Sequence, residues 1–245
     1  MININCFIIN LERCPEKRSR MIERMKKYPE INYEFFNAID GQNITVEYMK
    51  NNDYNTLDEW IDPFHKRKIT KGEIGCSLSH FNVYEKAFCM KHEITLVLED
   101  DAEFSDDFLD VLKQTIIELD NVEWDMCYLG RKKIDKGKKE KRVGHLSPNL
   151  LYPSYSYWCI GYLINPNFCR KIIDSNFLQN IIPIDEYLPI VSDTSSLIQY
   201  REYYKNTSIK LISLNKKIIY PEPNAFKNSD TELSSYINNN NSKLL

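Results

Sequence analysis

Two hydrophobic periods organise the chain. INCFIIN, residues 4 to 10, is an apolar run with the length of a buried strand. Pro15 then stands where a helix can begin, and Met21, Ile22 and Met25 supply apolar positions in a charged segment ending near Tyr28-Pro29. YEFFNAIDG, 33 to 41, predicts a second strand closing in a turn at Asp40-Gly41, and residues 43 to 70 read as polar, aromatic and irregular. From Gly72 a helical period takes over. Ile74, Leu78, Phe81 and Phe88 form one stripe, and Glu73, Ser77, His80 and Tyr84 form another that points away from the densest packing. ITLVLED, 94 to 100, is apolar without interruption, as a central parallel strand buried on both faces would be. SDDFLDVLKQTIIEL follows as a helix with Ser105 as its N-cap. Strands are predicted over 124–130, 158–164, 209–214 and 217–220, and helices over 166–176 and 184–200. Strands alternating with helices predict an α/β layer fold whose ligand lies beyond the carboxyl ends of the parallel strands. One unit over residues 1–233 is expected, with an Asn/Ser-rich, flexible tail at 234–245.

Composition narrows the function classes. The chain has 245 residues, 42% of them hydrophobic, which is enough for one sizeable core. A formal charge of −3 gives no reason to expect nucleic acid or an anionic membrane as the main partner. The strongest basic run, RKKIDKGKKEKR at 131–142, reads as a solvated, mobile loop, with an acidic-ligand rim as its functional alternative. Seven cysteines without a C-x-x-C pair predict buried free thiols rather than disulfides or a zinc site. MININCFIIN lacks the features of a secretory leader and no long apolar window follows, so a cytosol-like compartment and no membrane span are expected. The Asn-, Ile- and Lys-rich composition suggests an AT-rich viral or microbial genome, which would place a viral product in the host cytoplasm.

The chemistry concentrates in two acidic stretches. LVLEDDAEF sets Glu99, Asp100 and Asp101 side by side at a strand end. At an effective dielectric of about 20, charges about 4 Å apart repel by roughly 4 kcal/mol, so the cluster calls for a cation or open water. Such acids suit Mg²⁺ or Mn²⁺, and that cation suits a diphosphate such as a nucleotide sugar brings. The plainer alternative is that Asp100 and Asp101 start the turn into the next helix. In IPIDEYLP, Pro183 and Pro189 bracket Asp185 and Glu186, which could hold a general base against an acceptor hydroxyl; Asp185 could equally cap a helix. Tyr187 and Leu188 read as core. His80 has no second histidine at metal spacing and reads first as a hydrogen-bonded structural residue. Arg13, Lys17 and Arg18, at a helix start, could meet an anion, and Tyr155, Tyr157 and Trp158 could stack on a sugar or line the core. The residues alone lead to a metal-assisted, phosphate-handling α/β enzyme.

Several segments together resemble glycosyltransferase family 25, in particular its collagen galactosyltransferase branch. They are FIINLERCPEKRSRM (7–21), AIDG (38–41), DPFHKRKITKGEIGCSLSHF (62–81), LVLEDDAEF (96–104), WDMCYLGRKK (124–133), SYSYWCIGYLI (154–164), IPIDEYLP (182–189) and SDTE (229–232), in the family's order. The resemblance implies a Rossmann-like GT-A fold with a mixed, mostly parallel sheet, a Mn²⁺ or Mg²⁺ cofactor and a UDP-hexose donor, galactose foremost. It further implies an inverting transfer to hydroxylysine of a collagen-like protein, with a glycan such as lipooligosaccharide as the alternative acceptor. By resemblance Glu99 and Asp101 would meet the metal. Asn10, Leu11, Arg13, Asp40, Gly41, Glu73, Ser79, His80, Asp100 and Trp158 would meet donor or nucleotide, and Asp185 or Glu186 would be the base. One departure stands out. Animal collagen enzymes carry a His after a Tyr-Pro near the C-terminus, whereas this chain reads YPEPNAF at 220–226, leaving Glu222, Asn224 or Asp230 as substitutes.

Overall fold

A computed structural model gives the structure of the chain, and it describes residues 4–223. Asn224, Asp230, SDTE and the expected tail lie outside the described residues. The elements run β1 (Ile4–Asn10), α1 (Pro15–Met25), β2 (Ile31–Asn37), α2 (Val46–Asn51), α3 (Lys71–Cys89), β3 (Thr95–Glu99), β4 (Ala102–Phe104) and α4 (Phe108–Leu119). There follow β5 (Met126–Lys133), β6 (Lys141–Gly144), β7 (Ser147–Tyr152), β8 (Ser156–Ile164), α5 (Pro166–Ile173), α6 (Ile184–Val191), β9 (Leu211–Leu214) and β10 (Ile219–Pro221).

Eight strands form one sheet in the order β2-β1-β3-β8-β5-β9-β7-β6. β1 pairs in parallel with β2 and β3, β5 with β9, and only β8 and β7 run against the common direction. This is the mixed, mostly one-directional Rossmann-type sheet expected. Period-2 alternation divides its side chains between two cores. Phe7, Ile9 and Val97 pack on one face with α3, α5 and α6, while Ile8, Leu96 and Leu98 pack on the other with α1 and α4. Burial on both faces explains why β1 and β3 read as continuous apolar runs. No helix among the described residues is long and apolar enough to cross a membrane.

Several sequence expectations change. The second strand ends at Asn37, and Asp40 caps a 3-10 turn over Gly41–Asn43 instead. Within the supposedly irregular 43–70, Thr45 Oγ1 accepts the Tyr48 N–H and starts α2, a helix short enough to bury only Met49. The second stripe of α3 does not face outward: Ser77, His80 and Tyr84 are buried, because the helix is enclosed by the sheet, α5 and α6, whereas Phe88 is exposed. Asp107, not Ser105, occupies the N-cap position of α4, and Ser105 Oγ donates to Asp107 Oδ1. The predicted 184–200 helix stops at Val191, and a separate 3-10 segment covers Ile198–Tyr204. All seven cysteines are free, but Cys76 is only half-buried and Cys89 is exposed.

The basic run is the largest correction. β5 continues into it, and Arg131 is buried. Its guanidinium donates to Ser213 Oγ and Ser156 Oγ at 2.7 Å and forms a two-pronged pair with Glu140 at 2.8 and 2.7 Å. Burial pushes the Glu140 carboxyl up, but hydrogen bonds from Arg131 and Ser154 outweigh it and hold the group at about 2. Removing one partner of such a pair strands the other, at a cost of about 3–5 kcal/mol. Arg131→Ala should therefore lower unfolding stability by that amount in urea, whereas truncating exposed Lys139 should stay within about 0.5 kcal/mol.

The end of the described chain returns to the acidic turn. β10 pairs antiparallel with β4, and the Glu222 N–H donates to the Asp101 carbonyl at 2.9 Å.

Candidate active site

The carboxyl ends of β1, β2 and β3, the first half of α3, the start of β8 and the start of α6 surround a cleft of about 870 Å³. The residues that the resemblance assigned to metal, donor or base all line it except Asn10, whereas Arg18, Tyr155 and Glu222 do not. Asn10 lies buried behind the wall, where its Nδ2 donates to Asp100 Oδ2 at 2.7 Å and to the Cys14 carbonyl at 3.3 Å.

One side is a scaffold of paired groups. Lys17 Nζ is 3.5 Å from Asp100 Oδ1, so that carboxylate is held between a lysine and an amide. Arg13 Nε donates to Asp40 Oδ2 at 2.6 Å, and Asp40 Oδ1 accepts the Gln42 N–H at 2.9 Å. Gly41 and the start of α3 touch: a Cβ on Gly41 would fall 2.5 Å from the Lys71 carbonyl oxygen, so only glycine allows this approach. Ser79 Oγ donates to the Gly75 carbonyl at 2.6 Å and accepts the Ile39 N–H at 2.8 Å, stitching α3 to the same loop. Glu73 completes a capping box with Thr70 and is gripped by Arg67 at 2.7 and 2.8 Å. Ser79 and Glu73 therefore shape the wall rather than offer loose polar atoms to a ligand. Leu11 adds an apolar patch beside Arg13.

The other side is acidic and unsatisfied. Glu99 ends β3 with its side chain 32% exposed in the cleft, and burial, Asp185 and Asp100 push its carboxyl up to about 8. Asp101 is pushed up to about 7 by burial and by the Glu99 and Asp100 charges. Asp101 Oδ1 and Asp185 Oδ1 are buried without a hydrogen-bond partner among the described residues. Carboxylate oxygens left in that state suit a cation or a proton donor from a ligand. The oxygen set of Glu99 and Asp101 thus fits the Mn²⁺ or Mg²⁺ that the resemblance implied.

Asp185 and Glu186 face different surroundings. Pro183, not Asp185, takes the N-cap position of α6, and Asp185 Oδ2 accepts the Trp158 backbone N–H at 3.1 Å. Glu186 is almost fully buried; Tyr155 OH donates to its Oε2 at 2.5 Å and Tyr157 OH to its Oε1. Burial lifts Glu186 to about 7 against the pull of those hydroxyls. Both of its oxygens accept tyrosine hydroxyls, whereas Asp185 Oδ1 has no hydrogen-bond partner within bonding distance among the described residues, with the Cys159 thiol as a weak neighbouring donor to the carboxylate. Tyr187 and Leu188 are core, as expected.

Trp158 sits at φ 80°, one of five non-glycine residues at positive φ among the described residues and the one that lines the cleft, beside register shifts in the β5–β8 pairing. Non-glycine residues held at positive φ cost about 1–3 kcal/mol, and such strain gathers at functional sites. Lys217 Nζ lies 4.9 Å from the centre of the indole. Relative to Trp158→Ala, Trp158→Gly should be more stable by about 1 kcal/mol, since glycine alone relieves the backbone; thermal denaturation of the two variants would show it.

His80, read as structural, is buried but reaches the cleft: Nδ1 lies 2.6 Å from Tyr162 OH and Nε2 lies 3.3 Å from Glu99 Oε1. Burial pulls its pKa down to about 4, so it is neutral at physiological pH. Sequence reading missed Arg67, Cys76 and Asp62 in the wall. Cys76 precedes His80 by four positions, the spacing that puts two helical side chains on one face, and that signal was available. Glu222, one substitute for the absent histidine, is turned away: Arg20 and Arg24 hold its carboxylate at 2.9 and 2.5 Å. That side chain is committed to the two arginines and does not line the cleft.

The family model described as "Glycosyltransferase family 25 (LPS biosynthesis protein)" matches residues 3–188, a span containing the sequence-selected site residues from Asn10 to Glu186. The chain belongs to glycosyltransferase family 25. Among curated relatives of this family-25 chain, human "Procollagen galactosyltransferase 2" is 33% identical over 95% of the chain and 38% of the relative. An Aedes aegypti "Glycosyltransferase 25 family member" is 34% identical over 97% of the chain and 39% of the relative. Bovine "Probable inactive glycosyltransferase 25 family member 3" is 31% identical over 98% of the chain and 40% of the relative. The family-25 chain spans about two fifths of the length of these relatives. A solved glycosyltransferase involved in glycosylating the major capsid of PBCV-1 aligns over 87% of this chain and 93% of its own, at 8% identity and a TM-score of 0.40.

Proposed function

We propose that the chain transfers a hexose, galactose foremost, from a UDP-hexose to a hydroxyl acceptor, hydroxylysine of collagen or a collagen-like protein foremost, with inversion. The observation that carries this reading is the pair of buried carboxylate oxygens, Asp101 Oδ1 and Asp185 Oδ1, that have no hydrogen-bond partner among the described residues, on one cleft. The names of the procollagen galactosyltransferase relatives support donor and acceptor. Glu99 and Asp101 would hold Mn²⁺ or Mg²⁺, which supplies positive charge against the diphosphate leaving group.

The chain's own residues do the rest. Asp185, its Oδ2 fixed by the Trp158 N–H, takes the acceptor hydroxyl proton through Oδ1. The freed oxygen attacks the anomeric carbon as the bond to the UDP oxygen breaks, and the electron pair leaves with UDP. Arg13 and Lys17 contribute positive charge at the nucleotide side of the cleft. Glu186 and its two tyrosines hold the start of α6 against β8.

Two observations favour other outcomes enough to test them. A relative named probably inactive is nearly as similar as those named galactosyltransferases, and the family description names lipopolysaccharide biosynthesis. The test is purified protein with Mn²⁺, a panel of UDP-sugars and a hydroxylysine-bearing collagen peptide, read by UDP release and peptide mass. A hexose on hydroxylysine is the expected result. UDP release without peptide modification would move the acceptor to a glycan, and metal-dependent UDP binding without turnover would group the chain with the inactive relatives.

A further inference from the structure

The cleft holds a second set of ligating atoms that shares Glu99 with the cation site proposed for sugar transfer. Cys76 and His80 lie one turn apart on one face of α3, and Glu99 meets them from the end of β3. A ligand atom from each of the three lies within 4.8 Å of the others. His80 Nε2 and Glu99 Oε1 are already 3.3 Å apart. That is about the separation of two ligands bound to tetrahedral zinc at about 2.0–2.1 Å, so closing the set needs the half-buried thiol to move by roughly an ångström.

Two further features point to an ion. A ligating histidine needs its other ring nitrogen held. His80 Nδ1 lies 2.6 Å from Tyr162 OH, which lies 2.9 Å from Tyr84 OH, and all three groups are buried. Donation from Nδ1 to that hydroxyl pair leaves the Nε2 lone pair facing Glu99. Asp185, whose buried Oδ1 has no partner among the described residues, bears electrostatically on Cys76, His80 and Glu99 alike. Thiolate, imidazole and one carboxylate form a softer donor set than the all-oxygen set of Glu99 and Asp101, and suit zinc rather than magnesium or manganese.

We propose that Cys76, His80 and Glu99 bind zinc, with the fourth position open to the cleft beside Asp185, and that bound zinc withdraws Glu99 from the cation that serves the donor. Binding displaces the Cys76 thiol proton to solvent and leaves the oxidation state of sulfur and metal unchanged. Zinc then inhibits by sharing one ligand with the productive site. The inhibitory consequence rests on the donor reading above; the zinc site itself does not.

The test uses the full chain, reduced and metal-free, titrated with Co²⁺ as a coloured substitute for zinc. A cobalt–thiolate charge-transfer band saturating at one equivalent, displaced by Zn²⁺, lost in Cys76→Ser and kept in Cys159→Ser, is the expected result. Tyr162→Phe, which retains every ligand, should weaken Zn²⁺ binding by about 10–100-fold. No stoichiometric band, or a band that survives Cys76→Ser, would overturn the site. Zn²⁺ should also raise the Mn²⁺ needed for UDP binding in the wild type and not in Cys76→Ser. If the band forms while UDP binds with no metal, the donor reading fails and the zinc site stands.

Discussion

Asp185→Asn is expected to lower hexose transfer by about 10²–10⁴-fold, the usual contribution of a positioned general base, while UDP-hexose affinity is retained. The amide can still accept the Trp158 N–H that orients the side chain, so the cleft keeps its shape and only the proton acceptor is lost. An interaction made mainly in the transition state shows as equal losses in kcat and kcat/KM, which steady-state kinetics and calorimetric UDP-sugar binding would separate. Glu186→Gln should behave differently. Its carboxylate accepts from both Tyr155 and Tyr157, and an amide cannot do so equally well from both atoms, so about 1–3 kcal/mol of stability is lost before any effect on chemistry. Normal turnover in Asp185→Asn beside a collapsed rate in a folded Glu186→Gln would exchange their roles.

The largest effect on binding is expected at Asp101. Asp101→Ala should abolish metal-dependent UDP binding and leave the melting temperature unchanged or higher, because it removes a buried oxygen that has no partner among the described residues and is crowded by Glu99 and Asp100. The pH dependence follows with a definite sign. In the folded chain Glu99 sits at about 8 and Asp101 at about 7, above the ordinary carboxylate range near 4. The folded state therefore keeps protons that the unfolded state has released. Their contribution to stability is full below about pH 4, declines as pH rises and is lost above about pH 8. Melting of the metal-free protein should show this decline between pH 5.5 and 8 as a component that shrinks in Asp101→Ala. Added Mn²⁺ should raise the melting temperature more at pH 8 than at pH 5.5, since the acids ligate only when deprotonated. A pH-independent Mn²⁺ shift, or one that survives Asp101→Ala, would remove these acids from the metal site.

What the sequence disclosed depended on how many faces of a segment are buried. β1 and β3 pack on both faces, which leaves nearly unbroken apolar runs, and the acids beyond β3 then fall at a strand's carboxyl end. α3 was placed by its period, yet its polar stripe was misjudged, because Ser77, His80 and Tyr84 bury their polar atoms against partners distant in sequence. Arg131 was hidden by charge counting: Glu140 lies inside the same basic run and neutralises it only once β5 and the following hairpin have formed. The choice between Asp185 and Glu186 was beyond any local signal, since it turns on Tyr155 and Tyr157 facing one residue and the Trp158 backbone facing its neighbour.

The pairing of β10 with β4 also sets an order of events. Asp101 and Glu222 are about 120 positions apart, yet the Glu222 N–H closes on the Asp101 carbonyl, and Arg20 and Arg24 anchor the same residue from the first helix. During synthesis the acidic turn can be fastened only after β10 has cleared the ribosome. A nascent chain that has folded its sheet therefore still lacks the β10 contact that fastens its acidic turn, and on the proposed reading competence to bind the donor waits for β10.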